Sequence, residues 1–218
     1  MVEPGHSRGR IHIVDDDQSL RTAMERRLKQ AGYDVVTYAS AQQLLDHLPT
    51  GNEPSCLVLD VQMPGLDGPA LQKRLKELGS TLPIVFLTGY ADTPTVVRTL
   101  KAGAHDFLNK PVQSDELLRA LEKALADQRA WRDQQSALDG IRARLARLTP
   151  RERQVFELVI RGKLNKQIAH ALGATERTIK AHRHMVMEKM QVQSLAELVS
   201  QAERIDVLKG PTDDQPTT

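Results

Sequence analysis

The chain has 218 residues, 40% apolar and 27% charged, with a mean hydropathy of −0.41; no apolar run approaches the roughly 18–20 residues of a membrane span and residues 1–10 hold no apolar signal core, so a cytoplasmic globular protein with no membrane partner is expected. A single cysteine, Cys56, excludes a disulfide framework and a cysteine metal site. The net charge of +2 hides an asymmetry: residues 1–126 carry 14 Lys+Arg against 16 Asp+Glu and the remainder 16 against 12, which points to two modules with different partners.

Residues 1–9 are expected to be disordered. Five short apolar runs follow at intervals of about 22 to 28 residues: Ile11–Val14, Val35–Tyr38, Cys56–Leu59, Ile84–Leu87 and Phe107–Leu108. Helical patterns fill the gaps, and their starts are marked. Ser40 with Gln43 reads as a capping box, Thr93-Pro94 as an N-cap before a first-turn proline, and Ser114 as a further N-cap. Strands alternating with helices imply right-handed βαβ units and a parallel sheet covered on both faces, an α/β doubly wound (βα)5 domain over residues 10–126. The helical pattern after Ser114 continues beyond that domain as a linker over residues 127–147. Leu138, Ile141, Leu145 and Leu148 fall at heptad-like spacing, which suits either pairing with a twin helix or packing on the chain's own domain.

An all-α module is expected over residues 148–208. Thr149-Pro150-Arg151-Glu152 combines an N-cap, a first-turn proline and a capping-box glutamate. Helices are predicted to about Arg161, from Asn165 to Leu172, from Thr175 to Met190 and from Ser194 to about Arg204, with Gly173 in the turn between the second and third. Two helices joined by a short glycine-containing turn form the helix-turn-helix pattern. The tail at 209–218 has nothing to bury and is expected to be disordered.

Four of the five strands of the first module end in chemistry. Asp15-Asp16-Asp17 follow the first, Asp60 and then Val61-Gln62-Met63-Pro64-Gly65 the third, Thr88 the fourth, and Lys110-Pro111 stands just beyond the fifth. In an open α/β sheet these C-terminal ends converge at one edge. Two carboxylates about 4 Å apart repel by roughly 4 kcal/mol at an effective dielectric near 20, so the acidic group must protonate or recruit a cation. Oxygen-only donors favour Mg²⁺, which positions a phosphoryl group and neutralises its charge. A carboxylate can itself be the nucleophile, and Asp60, alone at its strand end, suits an aspartyl-phosphate. Lys110 offers a point charge to phosphoryl oxygens, and Thr88 a hydroxyl hydrogen bond.

The residues Asp15-Asp16, Asp60, Thr88 and Lys110-Pro111 resemble the receiver domain of two-component response regulators. Leu148-Thr149-Pro150-Arg151-Glu152-Arg153-Gln154-Val155 and the helices after it resemble the LuxR-type output domain of the NarL/FixJ family. Val14-Asp15-Asp16, Thr149–Arg153 and Val186-Met187-Glu188-Lys189-Met190 are most similar to the FixJ branch, and the two resemblances cover about residues 10–206. The resemblance implies a flavodoxin-like receiver in which Asp60 takes a phosphoryl group from a sensor histidine kinase. Mg²⁺ would be held by Asp16, Asp60 and the Gln62 backbone carbonyl, with Asp15 acting through a metal-bound water. It further implies a cis peptide before Pro111, a switch through Thr88 and Phe107, dimerisation on phosphorylation through a helix such as that after Ser194, and RNA polymerase as a partner.

On a helical wheel of Thr175–Met190, Ile179, His182, Val186 and Met190 share one face and Arg177, Lys180, Ala181, His184 and Glu188 the other. The second face is the candidate surface for double-stranded DNA at a twofold-related site. Lys180, Ala181 and His184 are placed for base edges, Arg177, Lys166 and Lys189 for phosphates, with Lys166 in the first turn after the expected N-cap Asn165, and Arg183 at the edge for either. The reading is a phosphorylation-activated transcription factor, not an enzyme. The alternatives are an aspartate-nucleophile phosphohydrolase, which would need an acid where Gln62 stands, and a DNA binder that works without phosphorylation.

Overall fold

The computed structural model describes residues 7–49, 53–89 and 93–205; most of the expected N-terminal disorder and all of the expected disordered tail lie outside them. The first unit is a five-stranded parallel sheet of β1 (Arg10–Val14), β2 (Asp34–Tyr38), β3 (Ser55–Asp60), β4 (Ile84–Thr88) and β5 (Asp106–Asn109). Its spatial order is β2-β1-β3-β4-β5. The helices between are α1 (Gln18–Gln30), α2 (Ala41–Asp46), α3 (Gly68–Glu77) and α4 (Thr93–Lys101), and α5 (Ser114–Ala146) follows β5. The sheet order is the flavodoxin-like one, in which the direction of winding reverses between β1 and β3, so the crevice at the strand ends lies between Asp15 and Asp60.

Alternation along the strands divides the apolar side chains between two cores. Ile11, Ile13, Cys56, Val58, Val85 and Leu87 face Met24 and Leu28 of α1 and Leu117, Leu121 and Leu125 of α5. Val14, Leu57, Leu59 and Phe86 face Leu44 of α2 and Leu71 and Leu75 of α3. Cys56 is fully buried in the first core, and burial pushes its thiol well above the ordinary range, so it serves as a small apolar residue.

The expected helix starts fare unevenly. Ser40 caps α2 through its Oγ, and the Gln43 side chain returns to the backbone amide of Ala39, one residue before the cap. α4 begins at Thr93 itself, and the residues before it lie outside those described. Asp17, which had no ligand role in the sequence, caps α1 by accepting from the amides of Ser19 and Leu20 at 2.8 and 3.2 Å.

The chain divides into two compact units after Arg132, inside α5. The second unit holds α6 (Pro150–Ile160), α7 (Asn165–Ala171), α8 (Glu176–Met190) and α9 (Leu195–Arg204). Ile141, Leu145 and Leu148 are buried in one core with Phe156, Ile168, Ile179, Val186 and Leu198. The expected linker is therefore split, and its apolar stripe packs on its own domain. Three-four-three spacing makes an apolar stripe in either case, and a domain core to cover decides between them.

His12, in the middle of β1, is a buried titratable side chain of the sheet interior. It is 3% exposed, its Nδ1 lies 3.2 Å from the Tyr38 hydroxyl, its ring stacks on Tyr38 at 5.9 Å, and its Nε2 has no partner. Burial, helped by the Arg10 charge, lowers its pKa to about 4. A base with a depressed folded-state pKa costs nothing above its unfolded value of about 6.5, and its penalty grows as the pH falls towards 4, to about 3 kcal/mol. The receiver transition in urea unfolding should accordingly weaken more between about pH 7.5 and pH 4.5 in the wild type than in His12→Phe. Parallel losses in the two proteins would remove His12 from the acid sensitivity.

Candidate functional site

The acidic site forms where the sheet reverses. β1 delivers Asp15, 1% exposed, and β3 delivers Asp60, 7% exposed, while Asp16 stands exposed beside them. Carboxylate oxygens of the three lie within 4.8 Å of one another. The loop after β1 is tied down by its own polar groups: the Asp17 amide donates to Asp15 Oδ1 at 2.8 Å and Arg21 donates to the Asp15 carbonyl. On the β3 side the Gln62 amide donates to Asp60 Oδ1 at 3.3 Å. Gly68 at the start of α3 packs so close that an added Cβ would lie 2.3 Å from the Asp60 carbonyl oxygen, so only glycine lets α3 begin against the end of β3.

Lys110 supplies the cation. Its Nζ lies 2.7 Å from Asp15 Oδ2 and 2.8 Å from Asp60 Oδ2, with 19% of its side chain exposed. The peptide to Pro111 is cis, as the family resemblance implies, and the Lys110 amide donates to the Thr88 carbonyl at 2.6 Å. Burial pushes the Asp60 carboxyl above its ordinary value; Lys110 pulls it down, and the Asp15 charge adds to the rise. Burial alone would lower the Lys110 ammonium, but its bonds to the two carboxylates outweigh that and hold it above its usual value. The lysine placed by its sequence position for a phosphoryl group thus meets the carboxylates directly in this structure. No local pattern foretells this, because the pairing joins residues 95 and 50 positions apart.

Thr88 is 1% exposed at the end of β4. Phe107 of β5 is half-buried against the second receiver core and pairs in register with Phe86, their ring centroids 6.0 Å apart at 30°. A groove of about 480 Å³ between the loop after β3 and α4 includes Gln62, Thr95 and Arg98.

In the second unit α7 and α8 are separated by residues 172–175, with Gly173 at a φ of +60. Along α8, Ile179, Val186 and Met190 are buried, and Arg177, Lys180, Ala181, His184 and Glu188 are exposed, the two faces that the wheel gives. His182 is half-buried, and Lys166 on α7 is exposed. The expected cap of α7 changes. The N-cap of α7 is Leu164, whose amide is held by Gln167 Oε1 at 2.9 Å, and Asn165 lies inside the helix. Asn165 Oδ1 instead accepts from Arg183 Nη1 at 2.9 Å. Lys189, placed for a phosphate by its charge, has its Nζ 2.7 Å from Glu152 Oε2 and only 24% of its side chain exposed. Glu152 was legible as a capping-box residue, but its second partner lies 37 residues away, beyond any local signal.

The comparisons agree with this division. The response regulator receiver domain matches residues 11–122, and the luxR family of bacterial regulatory proteins matches residues 146–202. The transcriptional regulatory protein FixJ of Bradyrhizobium diazoefficiens is 43% identical over 202 residues, which cover 93% of this chain and 98% of the relative. Response regulator protein TodT of Pseudomonas putida is 39% identical over 195 residues, covering 89% of this chain and 86% of TodT. The solved structure of the response regulator StyR superposes with a TM-score of 0.83 at 42% identity, covering 89% of this chain and 98% of StyR. Full-length FixJ from B. japonicum superposes with a TM-score of 0.58, also at 42% identity, over 93% of this chain and 99% of that one.

Lys110→Met removes the ammonium from Asp15 and Asp60 and keeps most of the stem. Burial and the Asp15 charge, which both raise the Asp60 pKa, are then opposed by the Gln62 amide alone. An acid with a raised folded-state pKa is favoured at low pH, and that advantage is lost as the pH rises, so the deficit of the variant should be about 3 kcal/mol near neutrality and smaller near pH 5. Guanidinium unfolding of both proteins at the two pH values measures it. Equal deficits would count against a charge origin.

Proposed function

Because the chain belongs to the response regulators that join a receiver domain to a LuxR-type DNA-binding domain, it is a two-component transcription regulator, and we propose that Asp60 is the carboxylate that carries its phosphoryl signal. The observation that supports Asp60 is its place at the winding reversal, buried beside Asp15, with one oxygen held by Lys110 and the other by the Gln62 amide. An Asp60 oxygen attacks the phosphorus of a phosphohistidine on a sensor kinase. The P–N bond breaks, and the imidazole nitrogen keeps the electron pair.

Asp15, Asp16 and Asp60 bring carboxylate oxygens together in a cluster that suits Mg²⁺; with the Gln62 carbonyl they would hold it, and when bound it would supply positive charge for the phosphoryl oxygens. Lys110 turns its charge from the carboxylates to the same oxygens. The Thr88 hydroxyl reorients towards the phosphoryl group, and the Phe107 ring follows, altering the face formed by Thr95–Lys101. The exposure of Lys166, Arg177, Lys180, Ala181 and His184 supports α7 and α8 as the DNA surface, with Lys180, Ala181 and His184 at base edges and Lys166 and Arg177 at phosphates. Phosphorylation favours a homodimer that places two recognition helices on a twofold-related site in the cytoplasm and recruits RNA polymerase. The intact acidic set argues against a phosphorylation-independent regulator, and Gln62 in place of a second acid argues against a phosphohydrolase.

Wild type incubated with Mg²⁺ and a radiolabelled small phosphodonor should take up label, shift towards a dimer in light scattering and bind duplex DNA more tightly. Asp60→Asn should do none of these, and label retained by that variant would move the acceptor elsewhere. MgCl₂ at about ten times its dissociation constant should stabilise wild type by about 1.4 kcal/mol, and Asp16→Asn should abolish the gain. An unchanged gain in Asp16→Asn would take that residue out of the donor set.

A further inference from the structure

The three helices behind the DNA surface are joined pairwise by polar side chains, one link for each pair. α6 meets α8 through Glu152 and Lys189, at 2.7 Å. α7 meets α8 through Asn165 and Arg183, at 2.9 Å. α6 meets α7 where the Arg151 guanidinium donates to the Leu172 carbonyl in the turn before α8. Two of these links end on cations of the recognition helix that its charge pattern alone would assign to DNA.

We infer that Arg183 and Lys189 are positioning residues that set the pose of α8 against α6 and α7, and that they are not DNA phosphate ligands. The apolar contacts among Val155, Ile168, Ile179 and Val186 supply adhesion, but burial is non-directional and tolerates a small slide of one helix along another. A guanidinium on an amide oxygen and an ammonium on a carboxylate tolerate far less, because each is made at one register and one rotation. Lys189 could reach a phosphate only by leaving Glu152, whose side chain is 7% exposed, and a buried carboxylate without its cation is strongly disfavoured. Glu152 also accepts from the Thr149 amide at 2.7 Å, so the same carboxylate starts α6 and holds the end of α8. The Lys189 bond, with that of Thr149, keeps the Glu152 carboxyl below its ordinary value against the opposing effect of burial. Arg183 is half-buried, unlike Arg177, Lys180 and His184, which are exposed.

The inference rests on α8 being the DNA-facing helix, and its test separates the two statements. A phosphate ligand contributes about one unit to the slope of log affinity against log salt and acts alike on all sequences. A positioning residue changes how well base edges are met, so it acts on the ratio between a preferred and a random sequence. The full-length chain would be titrated by fluorescence anisotropy, at several KCl concentrations, against a random-sequence duplex and against a duplex that the wild type selects from a randomised pool. Arg177→Ala should lower the salt slope by about one and Lys180→Ala should lower the selected-to-random ratio, and no change in either would overturn α8 as the DNA face. Arg183→Ala and Lys189→Ala should leave the slope unchanged and reduce the selected-to-random ratio about tenfold.

Asn165→Ala removes the partner of Arg183 without changing charge. It should reproduce the loss of ratio, and the double variant with Arg183→Ala should be no worse than either single. It also keeps the test decisive if Arg183→Ala fails to fold. A slope lowered by about one in Arg183→Ala or Lys189→Ala, or a normal ratio in Asn165→Ala, would overturn the positioning role.

Discussion

Two buried carboxylates held next to each other at the end of a parallel sheet are the constraint on which the receiver unit depends. Asp15 and Asp60 come from strands that are neighbours in space and 45 residues apart in the chain, because β3 pairs with β1 and β2 lies on the other side. Every strand approaches the site from the same direction, so apolar residues can fill the sheet while Asp15, Asp16 and Asp60 collect at one edge. Such a cluster cannot stay uncompensated. Lys110 neutralises it from the end of β5, and the cluster in turn fixes where Lys110 must lie.

That arrangement makes the site responsive. Burial raises the Asp60 carboxyl while Lys110 opposes it, so the carboxylate is held by a single flexible cation on one side and by the Gln62 amide on the other. Any new anion on Asp60 competes for the same ammonium. Lys110 is bonded through its own amide to the Thr88 carbonyl, and Thr88 pairs in register with Asn109. Asp60 is thereby linked through Lys110 to the ends of β4 and β5, and Phe107 on β5 is half-buried against Phe86.

Much of this was legible in the sequence because its signals are local. Apolar runs of four residues ending in Asp15, Asp60 or Thr88 marked strands and their chemistry together, and capping residues marked most helix starts. What was not legible depends on long-range pairing. Parallel strands have no turn to set their order, so the placing of β1 between β2 and β3 needed the structure. The stripe through Ile141, Leu145 and Leu148 fitted two partners equally until a core was seen to cover it. A helical wheel gives the direction of Arg183 and Lys189 but not what waits there, and Asn165, read as a cap, proved to be the partner of Arg183.

The two lysine–carboxylate pairs show how the same chemistry serves opposite ends. Lys110 bridges two acids, one of which has a raised pKa, and the adjoining Asp16 is exposed, so the pair is balanced but open to a competing cation or anion. Lys189 meets a single acid, which also accepts from the Thr149 amide and whose pKa is lowered. Burial alone does not separate them, for Asp60 and Glu152 are 7% and 5% exposed. The difference lies in whether the carboxylate shares its cation with a second acid. A buried acid that shares its cation is open to a competitor, and one that holds its cation alone is a fixed point against which a recognition helix can be held.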